Sequence, residues 1–235
     1  NPIYKWDLLE KNGFSFIINR LKGNAELYDV IRLDHFRAFD TYWRIPASCP
    51  TAVDGEWIEA PGYAFFDTFF KEVKNVEIIA EDLGNLRPQV LTLRDHYHLP
   101  GMNVVEFTFR DAEIDHKLNV SNPNMVVYLG THDNEPFKGF FDRQNDWEKN
   151  IWKETLRQKG FTNDDPCEAI REYALSLPAN YTILAMQDIL EFGNEARLNE
   201  PSTINDFNWT WHLRDYEKFI SLLPSLKALN EKYHR

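Results

Sequence analysis

The feature that most constrains the fold is an alternation. Short apolar, β-branched runs at Tyr28–Leu33, Val76–Ala80, Asn103–Phe109, Met125–Leu129 and Tyr181–Met186 read as strands. Longer segments with helical spacing lie before or between them: Gly13–Leu27, Tyr63–Val73, Arg87–Tyr97, Trp147–Lys159 and Cys167–Leu177. The second repeats Phe65, Phe66, Phe69, Phe70 and Val73, a one-sided stripe of the kind a helix buries. Strand, helix, strand in this rhythm predicts an α/β fold with right-handed crossovers and a parallel sheet. Five units are too few to close an eight-stranded barrel, which typically takes about 250 residues. The sheet is therefore open, or the chain is part of a barrel. No short repeat and no Pro/Ser-rich linker divides residues 1–235, so the chain reads as one portion of one fold.

Three of the five strands end in acidic residues: Arg32-Leu33-Asp34-His35, Ala80-Glu81-Asp82-Leu83-Gly84 and Gly130-Thr131-His132-Asp133-Asn134. In a parallel α/β fold the carboxyl ends of the strands open on one face, so carboxylates distant in sequence are expected to meet there. A single Asp after a strand is commonly only a helix cap. Asp34 differs because Arg32, two residues earlier, points to the same side of a strand, and a guanidinium beside a carboxylate favours its charged form. A permanently ionised carboxylate suits a nucleophile. In Glu81-Asp82 neighbouring side chains diverge, so one of the two faces the site and alternation does not choose between them; a Glu there has the reach of a general acid. His132-Asp133 lacks enough converging ligands for a metal. His96-Tyr97-His98 has metal-ligand spacing but follows a helix, at the end of the fold opposite the carboxylates, and reads as surface or packing. Phe36, Phe39, Tyr42, Trp43 and Trp57 crowd the first site, and rings beside carboxylates suit carbohydrate. Phe107 fits either core or site.

The net charge of −11, with no local basic cluster, disfavours nucleic acid and anionic membrane. No apolar run approaches the roughly 20 residues that cross a bilayer, and the first residues have no signal-like core. Cys49 and Cys167 are far apart and without metal spacing, which favours a reducing compartment; the expectation is a soluble, cytoplasmic protein.

"VIRLDHFRAF", "IIAEDLG" and "YLGTHDN" resemble the three carboxylate motifs of the 4-α-glucanotransferases, the amylomaltase or disproportionating-enzyme family related to the α-amylases. The resemblance continues through "NPIYKW", "YWRIPA", "TAVDGEW", "LPGMNVVEF", "AMQDILEFGNEARLNEP" and "NWTWHLR", covering nearly the whole chain. It implies that Asp34 is the nucleophile, Glu81 the general acid/base, and Asp133 the third carboxylate gripping the distorted sugar. Arg32 matches the arginine supporting the nucleophile, His35 and His132 match residues touching the sugars around the cleavage point, and Phe107 matches an aromatic near the acceptor side. Two departures stand out: Asn134 is followed by Glu135-Pro136 where the family usually has Asp-Thr, and Ala38 replaces a usual Gly.

The family's members begin well before "NP". By this resemblance the five strands match strands four to eight of a TIM (β/α)8 barrel, without its amino-terminal strands and subdomains. The implied activity is retaining transfer of an α-1,4-glucan segment to the 4-hydroxyl of another glucan, without cofactor or metal. The implied partners are α-1,4-glucans and maltooligosaccharides, together with an amino-terminal segment or a second copy at the exposed barrel edges. A retaining α-glucan hydrolase and a non-catalytic glucan-binding fragment are the rival readings.

Overall fold

The computed structural model describes residues 2–108, 122–214 and 216–235, the side chain of residue 108 excepted. The chain divides into two compact units, Asn1–Met102 and Asn103–Arg235.

The first unit opens with helices α1 (Trp6–Lys11) and α2 (Ser15–Ala25), the latter burying Ile18 and Leu21. Strands β1 (Val30–Leu33) and β4 (Glu77–Ala80) are hydrogen-bonded neighbours in parallel register, Val30 beside Glu77 through Leu33 beside Ala80. Ile78, Ile79 and Ala80 are all buried, so β4 is covered on both faces, as parallel strands usually are. The cover includes α3 (Gly62–Glu72), where Phe65, Phe66 and Phe69 are fully buried as the stripe predicts. Phe39 stacks on Phe65 at 4.9 Å between ring centroids, and Phe14 meets Phe65 edge-on at 5.5 Å. These contacts fix the 3-10 turn Phe36–Phe39 that follows β1. Helix α4 (Pro88–His96) starts with Pro88 in its first turn, where a missing N–H costs nothing, and buries Val90 and Leu93.

An antiparallel hairpin was not anticipated. Strands β2 (Thr41–Arg44) and β3 (Glu56–Glu59) pair with Trp43 opposite Trp57, whose rings meet edge-on at 5.3 Å. Its long connecting loop hides it from hairpin signals, which favour two to five residues.

Strand β5 (Gly101–Val104) crosses the boundary between the units, and with β6 (Met125–Tyr128) and β7 (Tyr181–Ile183) it forms a three-stranded sheet in the order β5-β6-β7. Strands β6 and β7 are parallel, Val126 beside Tyr181. The sequence expectation of a strand over Asn103–Phe109 is corrected: β5 begins two residues earlier, and Val105–Thr108 is a helical turn, α5. Val105 and Glu106 are both buried, and the Glu106 N–H reaches the Leu129 carbonyl at 3.2 Å. Phe109 itself lies outside the described residues. Likewise β7 stops at Ile183, and Met186 opens a short helix, α9 (Met186–Ile189).

Around this sheet the second unit packs α6 (Phe137–Arg143), α7 (Asp146–Gln158) and α8 (Pro166–Ser176). Helix α7 carries a full capping box between Asn145 and Glu148, and Asp165 caps α8 by accepting from the Cys167 N–H. Val127, Leu129, Phe137, Phe140, Trp152, Ile170 and Tyr173 share the core. The closing helix α10 (Tyr216–Lys232) buries none of its residues; it is held by its ends, Lys218 donating to the Leu190 carbonyl at 2.6 Å and Tyr233 to Glu172 at 2.8 Å. No helix among the described residues is long and apolar enough to cross a membrane.

Candidate functional site

Asp34 and Glu81 directly follow the paired positions Leu33 and Ala80, so both carboxylates leave the same edge of the β1–β4 pair. The ladder continues past the strand ends: the Glu81 N–H donates to the Leu33 carbonyl and the Phe36 N–H to the Glu81 carbonyl, each at 3.0 Å. The Glu81 side chain adds two more bonds. Its Oε2 accepts the His35 N–H at 2.8 Å and its Oε1 accepts the Leu83 N–H at 3.1 Å. To present that N–H, His35 adopts a left-handed conformation at φ 50°, uncommon for a side chain other than Gly or Asn.

Arg32 donates to Asp34 at 2.7 Å across the spacing of two that the strand predicts, and Asp34 itself is 78% exposed. The pair is as expected from sequence. Nearby, Arg87 clamps Asp40 with two bonds, one of 2.7 Å, and Arg37 lies 4.6 Å over the Trp57 ring. Ala38 lies in the 3-10 turn after Asp34, between Arg37 and Phe39.

Asp82 has a different environment from Glu81. Its side chain is 5% exposed, ion-paired with Arg94 and accepting the Met102 N–H at 2.8 Å. Gly101 makes room for this: a Cβ there would lie 2.6 Å from the Asp82 carboxylate and 2.8 Å from Arg94. Asp82 is thus committed to holding the start of β5 against α4. Within Glu81-Asp82, the side chain with free surface is Glu81.

In the second unit Asp133 and His132 follow β6. The tight turn beneath them is closed by Asn134, whose side-chain oxygen accepts from the Thr131 N–H at 2.9 Å and from the Thr131 hydroxyl at 2.8 Å. Glu135 departs from the family pattern without disrupting the loop: it pairs with Arg143 and accepts from Asn194 at 2.7 Å. The Phe137 N–H, at the far end of the loop, donates to buried Asp188 at 2.7 Å. Burial pushes the Asp188 carboxyl up to about 6, opposed by that bond and by Arg171.

Three residues around Asp133 were missed by sequence reasoning. Asn199 donates to the Asp133 carboxylate at 2.6 Å, Arg197 donates to its carbonyl at 2.9 Å, and Trp209 lies against the His132 ring at 5.4 Å. Trp209 is 61% exposed and sits at φ 65°, its N–H bonded to the Leu198 carbonyl at 2.6 Å. An exposed large ring on a strained backbone is a pattern found at functional sites. Its only sequence signal lay inside "NEARLNEP" and "NWTWHLR", two segments recognised by resemblance and not by any pattern of spacing.

The other candidates are placed as follows. Phe107 lies on the helical turn α5 and not on a strand, and is 38% exposed. His96 packs edge-on against Tyr63 at 5.3 Å, in keeping with a packing role. No group of three or more His, Cys, Asp or Glu able to hold a metal occurs among the described residues.

A family model described as 4-alpha-glucanotransferase matches residues 1–218. Among curated proteins, the 4-alpha-glucanotransferase of Thermus thermophilus is 41% identical over 241 residues, covering 100% of this chain and 48% of its own length. The chloroplastic/amyloplastic 4-alpha-glucanotransferase of Solanum tuberosum is 35% identical, covering 98% of this chain and 40% of its own length. Among solved structures, the amylomaltase from Streptococcus agalactiae in complex with acarbose superposes with a TM-score of 0.91 at 32% identity, over 100% of this chain and 47% of its own. The chain spans about half the length of the curated relatives it matches.

Proposed function

The chain belongs to the 4-alpha-glucanotransferase family, and from that premise we propose that it supplies the catalytic carboxylates of an amylomaltase that moves segments of α-1,4-glucan between chains. On this reading β1, β4, β5, β6 and β7 are strands four to eight of a (β/α)8 barrel, and the activity belongs to a protein of the relatives' full length. The observation that carries the chemistry is the register of β1 and β4, which sends Asp34 and Glu81 out of one edge side by side.

Asp34 attacks the anomeric carbon while Glu81 protonates the departing glycosidic oxygen, forming a covalent glucosyl-enzyme. Retaining enzymes hold such a pair about 5–5.5 Å apart. Glu81 then takes the proton from the 4-hydroxyl of an incoming glucan, which displaces Asp34. Arg32 holds the nucleophile in line through its bond to Asp34. The commitment of Asp82 to Arg94 supports Glu81 as the acid. Asp133, oriented by Asn199, has the role of the third carboxylate, gripping the distorted sugar, with His132 beside it. His35 and Phe107 contact sugars near the cleavage point. The substrate class draws support from the solved amylomaltase, which carries acarbose. No cofactor enters the scheme.

The test gives the full-length protein maltotriose alone. A transferase breaks one bond for each it makes, so total reducing ends stay nearly constant while glucose and chains longer than the trimer accumulate. Reducing ends that climb in step with substrate consumed, with no lasting longer chains, would make the protein a retaining hydrolase.

A further inference from the structure

Beyond Asp133 the loop after β6 continues through Glu135 into α6, and it is tied repeatedly to the segment after α9 that supplies Arg197 and Asn199. At the buried end of this contact, Gln187 and Asp188 are adjacent on α9 and each only 6% exposed. Asp188 accepts the Phe137 N–H of one segment at 2.7 Å, while Gln187 donates to the Ala196 carbonyl of the other at 3.3 Å. Gly139 lets the backbone of α6 meet Asn194, because a Cβ there would lie 2.2 Å from the Asn194 side-chain oxygen. At the exposed end, Asn194 donates to Glu135 at 2.7 Å and Arg143 takes the other carboxylate oxygen.

This last tie is not an ordinary surface pair. The Glu135 side chain is only 11% exposed, and both of its oxygens are engaged. Its partner Asn194 opens the 3-10 turn Asn194–Ala196, which runs straight into Arg197. Arg197 donates to the Asp133 carbonyl and, through Nε, to the Asn199 carbonyl, each at 2.9 Å, and Asn199 holds the Asp133 carboxylate at 2.6 Å. Glu135 itself stands two residues after Asp133. The bonds thus close a ring, from Asp133 along the chain to Glu135, across to Asn194, along the turn to Arg197 and Asn199, and back to Asp133. A side chain held from one side alone can swing about its own torsions. One enclosed in such a ring has its orientation set by the ring, which is what a group acting on a transition state needs.

We propose that Glu135 is a positioning residue for Asp133, acting through Asn194 on Arg197 and Asn199. The proposal rests on the glucanotransferase reading, in which Asp133 grips the sugar at its most distorted. A misaligned Asp133 then weakens the hold on the transition state more than the hold on the bound glucan, so the effect falls on kcat.

The test measures transfer from maltotriose by the full-length protein and its variants. Glu135→Ala should lower kcat at least about tenfold while KM stays within about twofold. Glu135→Gln keeps an acceptor for Asn194 and should hold kcat within about threefold of the wild type. Asn194→Ala breaks the same bond from an exposed position, and should reproduce the loss even where Glu135→Ala fails to fold. The decisive arm places Glu135→Ala in an Asn199→Ala background, where the route to the Asp133 carboxylate is already cut and the further loss should be under about threefold. A general loss of stability would carry through unchanged in both backgrounds. Wild-type kcat in Glu135→Ala or Asn194→Ala, Glu135→Gln as slow as Glu135→Ala, or equal losses in both backgrounds would overturn the positioning role, while transfer by the wild type leaves the glucanotransferase reading standing. A wild-type protein that moves no glucan would overturn that reading, and the role with it.

Discussion

Glu81 and Asp133 each follow a buried parallel strand, yet they are held in different ways. Glu81 is positioned by its immediate surroundings: the ladder to β1 and the backbone N–H groups of His35 and Leu83. Asp133 is positioned from far along the chain, by Asn199 and Arg197. The first unit therefore builds its carboxylate pair from strand register, which follows from the hydrophobic pattern. The second needs a loop that must itself be folded before the carboxylate is oriented. A site of the first kind tolerates changes elsewhere, whereas one of the second inherits every weakness of its loop.

Breaking the local site should give the largest effect. In the full-length protein, Asp34→Asn keeps the shape and removes the attacking charge, so kcat should fall on the order of 10⁴-fold while glucan affinity, measured by calorimetry, largely survives. A variant retaining a tenth of the wild-type rate, about 1.4 kcal/mol of barrier, would exclude Asp34 as nucleophile.

The Glu81-Asp82 pair sharpens the same point within one motif. Glu81→Gln should reduce turnover of natural glucans by about 10²- to 10⁴-fold yet largely spare the first step with α-glucosyl fluoride, whose leaving group needs little protonation. Asp82→Ala should act on stability instead, removing about 1–3 kcal/mol in denaturant unfolding, because Arg94 keeps only its pair with Asp95 and the Met102 N–H loses its acceptor. A greater catalytic loss at Asp82 than at Glu81 would reverse the assignment.

The long-range site should respond to pH through Asp188, which holds the Phe137 N–H at the end of the Asp133 loop. Its carboxyl is raised to about 6 in the folded protein, so between about pH 4 and 6 the folded state keeps a proton that the unfolded state has lost. The stabilisation is fully present below that window and is lost as pH rises through it, on the order of 3 kcal/mol. Asp188→Asn keeps an acceptor for Phe137 and cannot ionise. The stability difference between variant and wild type should therefore shift in the variant's favour from pH 4 to pH 7 in denaturant titrations, and a difference that stays flat with pH would contradict the assignment.

The smallest effect is expected at Asn199→Ala, which frees the Asp133 carboxylate without removing it. A fall in kcat of about ten- to a hundredfold with an unchanged unfolding midpoint would mark Asn199 as an orienting group. An unaltered rate would show that Asp133 needs no outside support, and the contrast between the two sites would disappear.

The same contrast explains what could be read in advance. The β1 and β4 runs, the Phe stripe of α3 and the Arg32–Asp34 pair all express short-range periodicity, and each is found where periodicity puts it. The β2–β3 hairpin escaped because its strands are joined by a long loop, and α5 escaped because Val105–Thr108 is apolar enough to pass for the end of a strand. Asn199 and Trp209 escaped because nothing within a window of neighbouring residues encodes a contact made across more than sixty positions. Their motifs could be recognised as familiar, but their contacts with Asp133 and His132 could not be inferred from pattern.

The bond from the His35 N–H to the Glu81 carboxylate bears on fluctuation as well as position. It ties the turn that begins at Asp34 to the side chain of the opposing carboxylate, so thermal motion that carries one strand end outward carries the other with it. Displacements of the two groups are therefore expected to be correlated, with the gap between them varying less than the location of either. If Asp34 and Glu81 are the catalytic pair proposed above, that gap decides whether a covalent bond or an interposed water meets the sugar. On that proposal the tie steadies the one coordinate on which the stereochemical outcome depends.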